Sequence, residues 1–418
     1  MEYIKSRDIF LLMRDVLKLI YPRLMEHGSR VAYMVYMMLR EEGRYEEFEL
    51  ADIVMVATMH DIGAYKTERS KLHDMLRYES KESKAHCIYG YLFFKYLSPV
   101  PDLAKVIMYH HMDYEQLQKV EYTYKEIAAY INIAEKMDIY STTMGSQFDM
   151  YMFQKQAGTK LSSEGLYQFY QCQEKYGIFD KIKSGEYKKE LDQIVDYMIF
   201  NNEDKKKFLE MLTYCFGFRT KNMVVDNVTT ICICENIAEE MMMPPAEREI
   251  LYYSTLVHDI GMLAIPREIL EAPRKLEKEE RRLVRTHVEV AGKILGQKMK
   301  RELVSIALAH HERGDGSGYP LRLKDIQMNS PQRILQVADV VTALVNKRSY
   351  REDLSKEQVI GILSEEAAKN HLKRQVVVTF VKSYDRIMKD VREKSAEILK
   401  MYETLNMQYE LISKKYKI

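Results

Sequence analysis

The second half of the sequence carries histidine and carboxylate side chains in a pattern that suits metal coordination. His258 is followed directly by Asp259, and the adjacent histidines His310 and His311 come further along the chain. Neutral imidazole nitrogens and carboxylate oxygens are ligands that suit Fe, Mn, Zn or Co. The full candidate set is Asp226, His258, Asp259, His287, His310, His311 and Asp339. We therefore predict a metal site whose ligands lie far apart in the sequence.

The first half of the sequence repeats this pattern. The pairs His60–Asp61 and His258–Asp259 are 198 residues apart, and the other matched members are 199 to 204 residues apart. The candidate set of the first half is His27, His60, Asp61, His86, His110, His111 and Glu135. Of the 11 histidines, only His73 and His371 stand outside the two sets. A lone histidine of this kind would be read as a hydrogen-bonded core residue, but two matched sets predict two metal sites.

The size of each set indicates more than one ion per site. Seven candidate ligands exceed the four that a tetrahedral ion needs, so we predict two divalent ions per site and leave a third open. Asp259 can bridge two ions because a carboxylate has two oxygens, and we assign it the catalytic role. Paired ions activate a bound water and offset charge on a phosphoryl oxygen. This favours phosphoester hydrolysis, although a di-iron pair with oxygenase chemistry stays open.

Composition and charge narrow the class of protein. The chain of 418 residues has a formal net charge of +1, which gives no global attraction to a nucleic-acid polymer or an anionic membrane. Its five cysteines suggest neither a disulfide framework nor a zinc ribbon. Charged residues interrupt the apolar pattern at the amino terminus, and no apolar run is long enough for a membrane span. We expect a cytoplasmic protein.

The elements that must position the candidate ligands are predicted to be helices. Only 17 glycines and 9 prolines interrupt the chain, and apolar residues recur at three- and four-residue steps. We expect an all-α fold with two helical domains (1–145 and 215–370), a helical connector (146–214) and a long carboxy-terminal helix (371–418). The stretch QVVVTFV from Gln375 is interpreted as the start of that last helix. A heptad-like seam from Tyr384 to Tyr416 offers a homodimer contact, although packing of the helix on its own domain is an equal alternative.

Several motifs resemble a known family. LVHDIGMLAIP, THVEVAGKIL, HHERGDGSGYP, ILQVADVVTAL and KRSYREDLS stand in the order and spacing of an HD-GYP phosphodiesterase domain, a branch of the HD metal-dependent phosphohydrolases. The resemblance covers roughly residues 216–371. In the first half, HGSRVA, MHDIGAYKTE, KAHCIYGY, YHHMDYE and NIAEKMD resemble an HD domain that lacks the Gly-Tyr-Pro loop.

The resemblance implies a function. It implies two HD-type helical domains in tandem, a site of two or three iron or manganese ions, and hydrolysis of a cyclic dinucleotide, either cyclic di-GMP or cyclic GMP-AMP. It also implies that a loop after His311 shapes the substrate pocket and that two arginines bind substrate phosphate. The implied substrate-binding residues are Gly316, Gly318, Tyr319, Pro320, Arg348 and Arg351.

The second copy departs from the family pattern at several positions. Asp226 replaces the first histidine of the ligand set, and Met262 replaces the lysine that usually follows HDIG. Ala272 replaces a second lysine and Gly314 a tryptophan, with Arg274 and Lys275 as candidate compensating cations. Loss of one charge-stabilising donor typically costs about 10²–10³ in rate. Two alternatives therefore stay open: a sensor that binds a cyclic dinucleotide without cleaving it, and a general HD phosphohydrolase that acts at the amino-terminal site.

Overall fold

The protein is helical throughout the part of the chain that the structure describes. The computed structural model describes residues 3–65, 84–217, 221–346 and 354–416. The α-helices, numbered along the chain, are α1 (Ser6–Ile20), α2 (Pro22–Glu42), α3 (Glu47–Thr58), α4 (Ala85–Leu97), α5 (Ala104–Tyr109), α6 (Tyr114–Leu117), α7 (Lys125–Met144), α8 (Ser163–Tyr176), α9 (Ile178–Ser184), α10 (Tyr187–Val195), α11 (Asn202–Gly217), α12 (Lys221–Glu240), α13 (Pro245–Val257), α14 (Arg267–Leu270), α15 (Lys278–Arg285), α16 (His287–Leu295), α17 (Arg301–Ala307), α18 (Ser330–Val345), α19 (Lys356–Ala368), α20 (Arg374–Lys382) and α21 (Tyr384–Tyr416). No β-strand occurs in these residues, and the predicted all-α fold is confirmed.

The chain forms two compact units. The amino-terminal unit comprises Ile9–Met211 and Leu405–Ile418, and the carboxy-terminal unit comprises Met1–Asp8 and Leu212–Thr404. Helices α8 to α10, which lie in the predicted connector, are part of the amino-terminal unit, and α21 contributes residues to both units. The domain limits inferred from the sequence repeat stay predictions.

In the amino-terminal unit, α2 packs against α3, α7 and α8. Pro22 lies in its first turn, where a missing N–H costs nothing, and Gly43 ends it in the left-handed conformation with φ of 67°. A capping box between Glu46 and Glu49 starts α3 directly afterwards. Close packing of α2 on α3 depends on Gly28, because a β-carbon there would lie 2.3 Å from the carbonyl oxygen of Thr58. The helix ends and the close approach at Gly28 together hold α2 beside the end of α3.

In the carboxy-terminal unit, α12 packs against α13 and α18 in the same way. Asn329 caps α18 by accepting a hydrogen bond from the backbone N–H of Gln332 at 3.0 Å, and Pro331 occupies its first turn. The apolar face of α18 is fully buried and includes Ile334, Val337 and Val341. These contacts hold α12, α13 and α18 together in the carboxy-terminal unit.

The last part of the chain differs from the sequence interpretation in one detail. The valine-rich stretch after Arg374 is helical as expected, but α20 ends at Lys382 and α21 begins anew at Tyr384. Ser383 lies between them with φ of −104° and ψ of 14°, so the helix is not continuous. Among the described residues, no helix combines the length and apolar character that a membrane span requires.

Candidate metal centres

The histidines of both sites lie mostly at helix ends. The last carbonyl groups of a helix lack intrahelical partners, and an imidazole N–H can satisfy one of them. Nδ1 of His60 donates to the carbonyl of Ala57 at 2.8 Å, and Nδ1 of His258 donates to that of Thr255 at 2.6 Å. The same contact to the carbonyl three residues earlier, at 2.6 Å, is made by His110, His287 and His310. Because each carbonyl only accepts, the proton lies on Nδ1 and the lone pair of Nε2 is left for a cation.

A glycine brings the His-Asp turn against the helix that carries the next histidine. A β-carbon on Gly63 would lie 2.0 Å from the carbonyl oxygen of His86, and one on Gly261 would lie 1.9 Å from that of His287. Neither separation is possible for any residue with a side chain. Glycine after His-Asp-Ile therefore lets Asp61 approach His86 and lets its counterpart in the second copy approach His287.

In the carboxy-terminal unit, Asp259 stands at the centre of the predicted ligand set. Its Oδ1 lies 3.3 Å from Nε2 of His287 and 3.6 Å from Nε2 of His310. Its Oδ2 lies 3.4 Å from Nε2 of His258. The two oxygens thus face different imidazoles, as a carboxylate that bridges two cations would require.

The remaining members of this set lie at different places around the centre. Nδ1 of His311 is 3.4 Å from Oδ2 of Asp339, so this pair joins the cluster. Oδ1 of Asp226 accepts a hydrogen bond from Nδ2 of Asn346 at 2.7 Å. Among the described residues, the close group of donor atoms in this site contains His287, His310 and His311, and it includes none of Asp226, His258, Asp259 and Asp339. Metal ligation by Asp226 therefore stays a prediction.

The amino-terminal site repeats this arrangement around Asp61. Oδ1 of Asp61 lies 3.0 Å from Nε2 of His86, and Oδ2 lies 3.4 Å from Nε2 of His60. His86 and His110 bring their Nε2 atoms to 3.3 Å. The close donor groups of this site bring together all seven predicted residues, namely His27, His60, Asp61, His86, His110, His111 and Glu135.

The surroundings of the two sites differ. In the amino-terminal unit, Nδ1 of His27 donates to Asp138 at 2.7 Å, and Arg30 donates to both oxygens of the same carboxylate, at 2.5 and 2.8 Å. Asp138 thus orients His27. In the second copy, the hydroxyl groups of Thr230 and Thr342 form a neutral hydrogen bond of 2.9 Å beside Asp226. The charged pair Asp138 and Arg30 therefore supports the first site, whereas neutral hydroxyl groups occupy the corresponding place in the second.

Burial shifts the pKa values of the site residues in both units. Burial and neighbouring imidazoles lower the pKa of His310 and His311 well below 6.5, and the same causes act on the matching pair of the first site. Burial raises the pKa of Asp339 to about 7, with a further contribution from Asp259. Burial and the charge of Asp61 likewise raise the pKa of Glu135 to about 7. The imidazoles of His110, His111, His310 and His311 are therefore neutral, which is the form that binds metal. The pKa of His86 is instead raised, because its contacts with Cys87 and Asp61 outweigh burial.

The loop after His311 is held by contacts to its own backbone. Glu312 is fully buried and accepts hydrogen bonds from the N–H groups of Leu321 and Leu323 at 2.6 and 2.7 Å. A β-carbon on Gly318 would lie 2.4 Å from the backbone nitrogen of Arg313, so only glycine fits there. This turn places the ring of Tyr319 at 4.8 Å from the ring of His311, measured between centroids.

Two other positions in this loop favour or require glycine because of their backbone geometry. Gly316 has φ of 85°, which favours glycine, and the Tyr319–Pro320 peptide bond is cis. A side chain at Gly314 is excluded because its β-carbon would lie 2.5 Å from the carbonyl oxygen of Asn370. The tryptophan that the family pattern expects at Gly314 therefore has no room here.

The cations expected to bind phosphate are only partly described. Arg348 and Arg351 lie outside the described residues. Arg274, a candidate to replace a missing lysine, forms two contacts of 2.7 Å with Glu280 and is committed to that ion pair. Arg285 instead lies with its guanidinium carbon 5.0 Å from the centre of the Tyr319 ring. Arg285 is thus one described cation beside the loop.

The donor sets of both sites fit divalent cations. Fully buried Nε2 of His60 has no hydrogen-bond partner in the described part of the chain, and the same holds for Nε2 of His111. Buried polar atoms in native proteins normally have partners, so such atoms point to a bound species. Imidazoles and carboxylates with their donor atoms turned toward one another are the chemistry that holds a transition-metal ion.

Comparison with known proteins agrees with this geometry. Models described as "HD domain" match residues 24–143 and residues 214–376. The chain belongs to the HD domain family, since these two matches together cover more than half of it. It contains two HD domains in tandem, and the resemblance seen in the sequence motifs is confirmed.

Curated relatives and a solved structure are similar to this chain over different shares of its length. 3'3'-cGAMP-specific phosphodiesterase 1 of Vibrio cholerae is 24% identical over 85% of this chain and 86% of its own length. The cyclic di-GMP phosphodiesterase response regulator RpfG of Xanthomonas campestris is 34% identical over 30% of this chain and 34% of its own length. The crystal structure of a cyclic GMP-AMP specific phosphodiesterase of V. cholerae, V-cGAP3, matches with a TM-score of 0.59 and 15% identity, over 92% of this chain and 98% of that one. This structural match shows the fold.

The sequence reasoning missed several residues around the sites. Cys87 follows His86 directly and lies among the donors of the first site, a position that could have been noticed from the sequence. His371, left outside the repeat, contacts Asp315 at 3.4 Å and accepts the N–H of Gly314 on its carbonyl at 3.0 Å. The sequence did not indicate Asn346, the hydrogen-bond partner of Asp226, because amide side chains form no recognisable metal-binding pattern.

Gly261→Ala tests the close backbone contact. The added methyl group must push the His-Asp turn away from α16, which separates Asp259 from His287. We expect metal per chain to fall by about half, with the amino-terminal ions retained, and overpacking to cost about 1–3 kcal/mol. Elemental analysis of purified protein measures the loss. Gly361→Ala is the control, because Gly361 lies in a helix with open space around it; full metal content in Gly261→Ala would contradict the contact's role.

Metal binding should release more protons at pH 6 than at pH 8.5. Because the pKa of Asp339 is raised to about 7, its carboxyl is mostly protonated at pH 6 without a cation and must lose the proton to become a ligand. The histidines of lowered pKa stay neutral at both pH values and contribute little. Calorimetric Mn²⁺ titration in buffers of different ionisation enthalpy counts the protons. Asp339→Asn should release about one proton fewer at pH 6, whereas equal release by the parent at both pH values would refute the raised pKa.

Proposed function

We propose that the chain is a metal-dependent phosphodiesterase that hydrolyses a cyclic dinucleotide at the site of its carboxy-terminal unit. The ligand cluster around Asp259 and the Gly-Tyr-Pro loop beside it support this proposal. Relatives named as cyclic GMP-AMP and cyclic di-GMP phosphodiesterases support the substrate class. Cyclic GMP-AMP is our first choice, since the 3'3'-cGAMP-specific relative aligns over most of both chains.

The difference in exposure between the two sites is the observation that carries this assignment. The side chain of Asp259 is 34% exposed, whereas that of Asp61 is 9% exposed. His311 is 26% exposed and its counterpart His111 is 13% exposed. A dinucleotide must reach the ligands to react, so the carboxy-terminal site is the one suited to catalysis. The alternative of a general phosphohydrolase at the amino-terminal site is not favoured.

Each residue of the carboxy-terminal site has a proposed role. His258, His287, His310, His311, Asp339 and Asp226 would hold two divalent ions, with iron or manganese favoured by the nitrogen and oxygen donors. Asp259 would bridge them, since its two oxygens face different imidazoles. When bound, such ions supply a nucleophilic water at neutral pH and offset charge on the phosphoryl group. A third ion is left open.

The loop and the nearby arginines would bind the substrate. Tyr319 offers a ring face beside His311, and Gly316 and Pro320 shape the turn that presents it. Gly318 is buried and serves the fold of the loop. Arg285 would bind a substrate phosphate in place of the missing lysine at Met262, because a guanidinium offers paired donors. Arg348 and Arg351 keep this role as predictions.

The proposal also covers the cellular location and the oligomeric state. The cytoplasm is the expected location, where cyclic dinucleotides would be met. A homodimer through α21 stays a prediction, because the seam residues Val391, Ile398, Tyr402 and Leu405 are buried within the chain and support packing of the helix on its own protein.

The paired variants His258→Ala and His60→Ala test where hydrolysis occurs. Metal-loaded protein is incubated with cyclic GMP-AMP and with cyclic di-GMP, and linear product is followed by chromatography. His258→Ala should lower kcat/KM by about 10²–10³-fold or more, because it removes a donor that faces Asp259. His60→Ala should lower it much less. Greater loss in His60→Ala would move the reaction to the amino-terminal site, and tight binding without product in the parent protein would favour the sensor.

Arg285→Ala tests the phosphate contact. We expect KM for the dinucleotide to rise about 10-fold with a smaller change in kcat, which corresponds to about 1.4 kcal/mol of lost binding. Arg285→Lys should recover part of the loss, since lysine keeps the charge but not the paired donors. Arg274→Ala is the matched control, because Glu280 already occupies that guanidinium. Equal KM changes in both alanine variants would rule out a specific role for Arg285.

A further inference from the structure

The two sites differ at the residue that follows the matched histidines His86 and His287. In the amino-terminal site this residue is Cys87, directly after His86, and in the carboxy-terminal site it is Val288, directly after His287. Both are buried near the first turn of a helix, α4 or α16. The same position in one fold thus carries a sulfur donor in one site and a hydrocarbon in the other.

We propose that Cys87 is a thiolate ligand to a cation in the amino-terminal site, together with His86 and His110. This inference does not rest on the proposed hydrolysis, because it concerns the other site of the chain. It makes the two sites different in the metal they prefer.

The separations between the donor atoms support one shared cation. Sγ of Cys87 lies 3.5 Å from Nε2 of His86 and 4.0 Å from Nε2 of His110, and the two nitrogens are 3.3 Å apart. Bond lengths of about 2.3 Å to sulfur and about 2.05 Å to nitrogen in a tetrahedral site give separations of about 3.6 Å and about 3.4 Å. The observed separations are close to these values, the longest by a few tenths of an ångström.

Other buried donor groups lie close to His86 and His110. Nε2 of His60 is fully buried and has no hydrogen-bond partner among the described residues, and the ring of His60 lies 5.0 Å from the ring of His110. Oδ1 of Asp61 lies 3.0 Å from Nε2 of His86 and 3.9 Å from Nε2 of His110. His111 belongs to the same close group of donor atoms as Cys87, His86 and His110, so a fourth donor is present.

The chemistry of sulfur sets the expected metal preference. Thiolate ligands favour zinc, cobalt and other softer ions, whereas nitrogen and oxygen sets also serve iron and manganese. Binding forms a metal–sulfur bond and breaks the S–H bond, and the proton passes to solvent. We expect the amino-terminal site to hold such an ion firmly in its buried position.

Cobalt spectroscopy of the full chain tests the proposal. Protein stripped of metal and reloaded with Co²⁺ should show an intense near-ultraviolet band from thiolate-to-cobalt charge transfer. Cys87→Val should lose this band and keep the visible cobalt bands of the other site, and the fold should tolerate valine because Val288 occupies the matching position. Cys172→Ser is the matched control: Cys172 is buried in the same unit, and its thiol donates to the carbonyl of Met37 at 3.5 Å. It should keep the band.

Two results would overturn the inference. One is a charge-transfer band that persists in Cys87→Val, and the other is cobalt bound to the unmodified protein without such a band. X-ray absorption at the cobalt edge of the unmodified protein provides a measurement that needs no variant. A sulfur neighbour at about 2.3 Å supports the assignment, and a shell of only nitrogen and oxygen contradicts it.

Discussion

Both sites depend on one close backbone contact, between the glycine that follows His-Asp-Ile and the first turn of the next histidine-bearing helix. At Gly63 and at Gly261 the chain approaches a histidine carbonyl so closely that no β-carbon fits. The aspartate two residues before each glycine thereby lies within 3.3 Å of that histidine's Nε2. A side chain can adjust by rotation, but a blocked backbone approach cannot be recovered in this way. The arrangement of the other ligands follows from this contact.

The helix ends then fix the orientation of the imidazoles. A histidine that gives its Nδ1 proton to the carbonyl three residues earlier satisfies an open helix end and turns Nε2 toward the aspartate. His60 and His258 do this in equivalent places, as do His110 and His310. The local requirement of the helix and the requirement of the metal site are met by the same hydrogen bond. This is why the ligand set survives in two copies whose other residues differ.

Much of the fold and of the ligand set could be predicted from the sequence. The all-α class follows from apolar periodicity, and the ligands follow from the spacing of histidines in two copies. The residues that support the ligands and the loop could not be predicted from the sequence, and the reason is physical. Asn346 and Glu312 act through hydrogen bonds to groups that only folding brings near them, and neither residue type indicates this. Cys87 was overlooked because zinc patterns are usually sought as paired cysteines, whereas here histidines supply the partners.

The differences between the copies suggest a division of labour. In the first copy, Asp138 fixes His27 with the help of Arg30, and the ligands are nearly closed off from solvent. In the second copy the corresponding supports are neutral, and the central aspartate is about a third exposed. A closed, charge-supported site is suited to retaining an ion, whereas a more exposed site is suited to admitting a dinucleotide. Retention of cations and turnover of substrate place opposite demands on burial, and two copies of one fold allow each demand to be met separately.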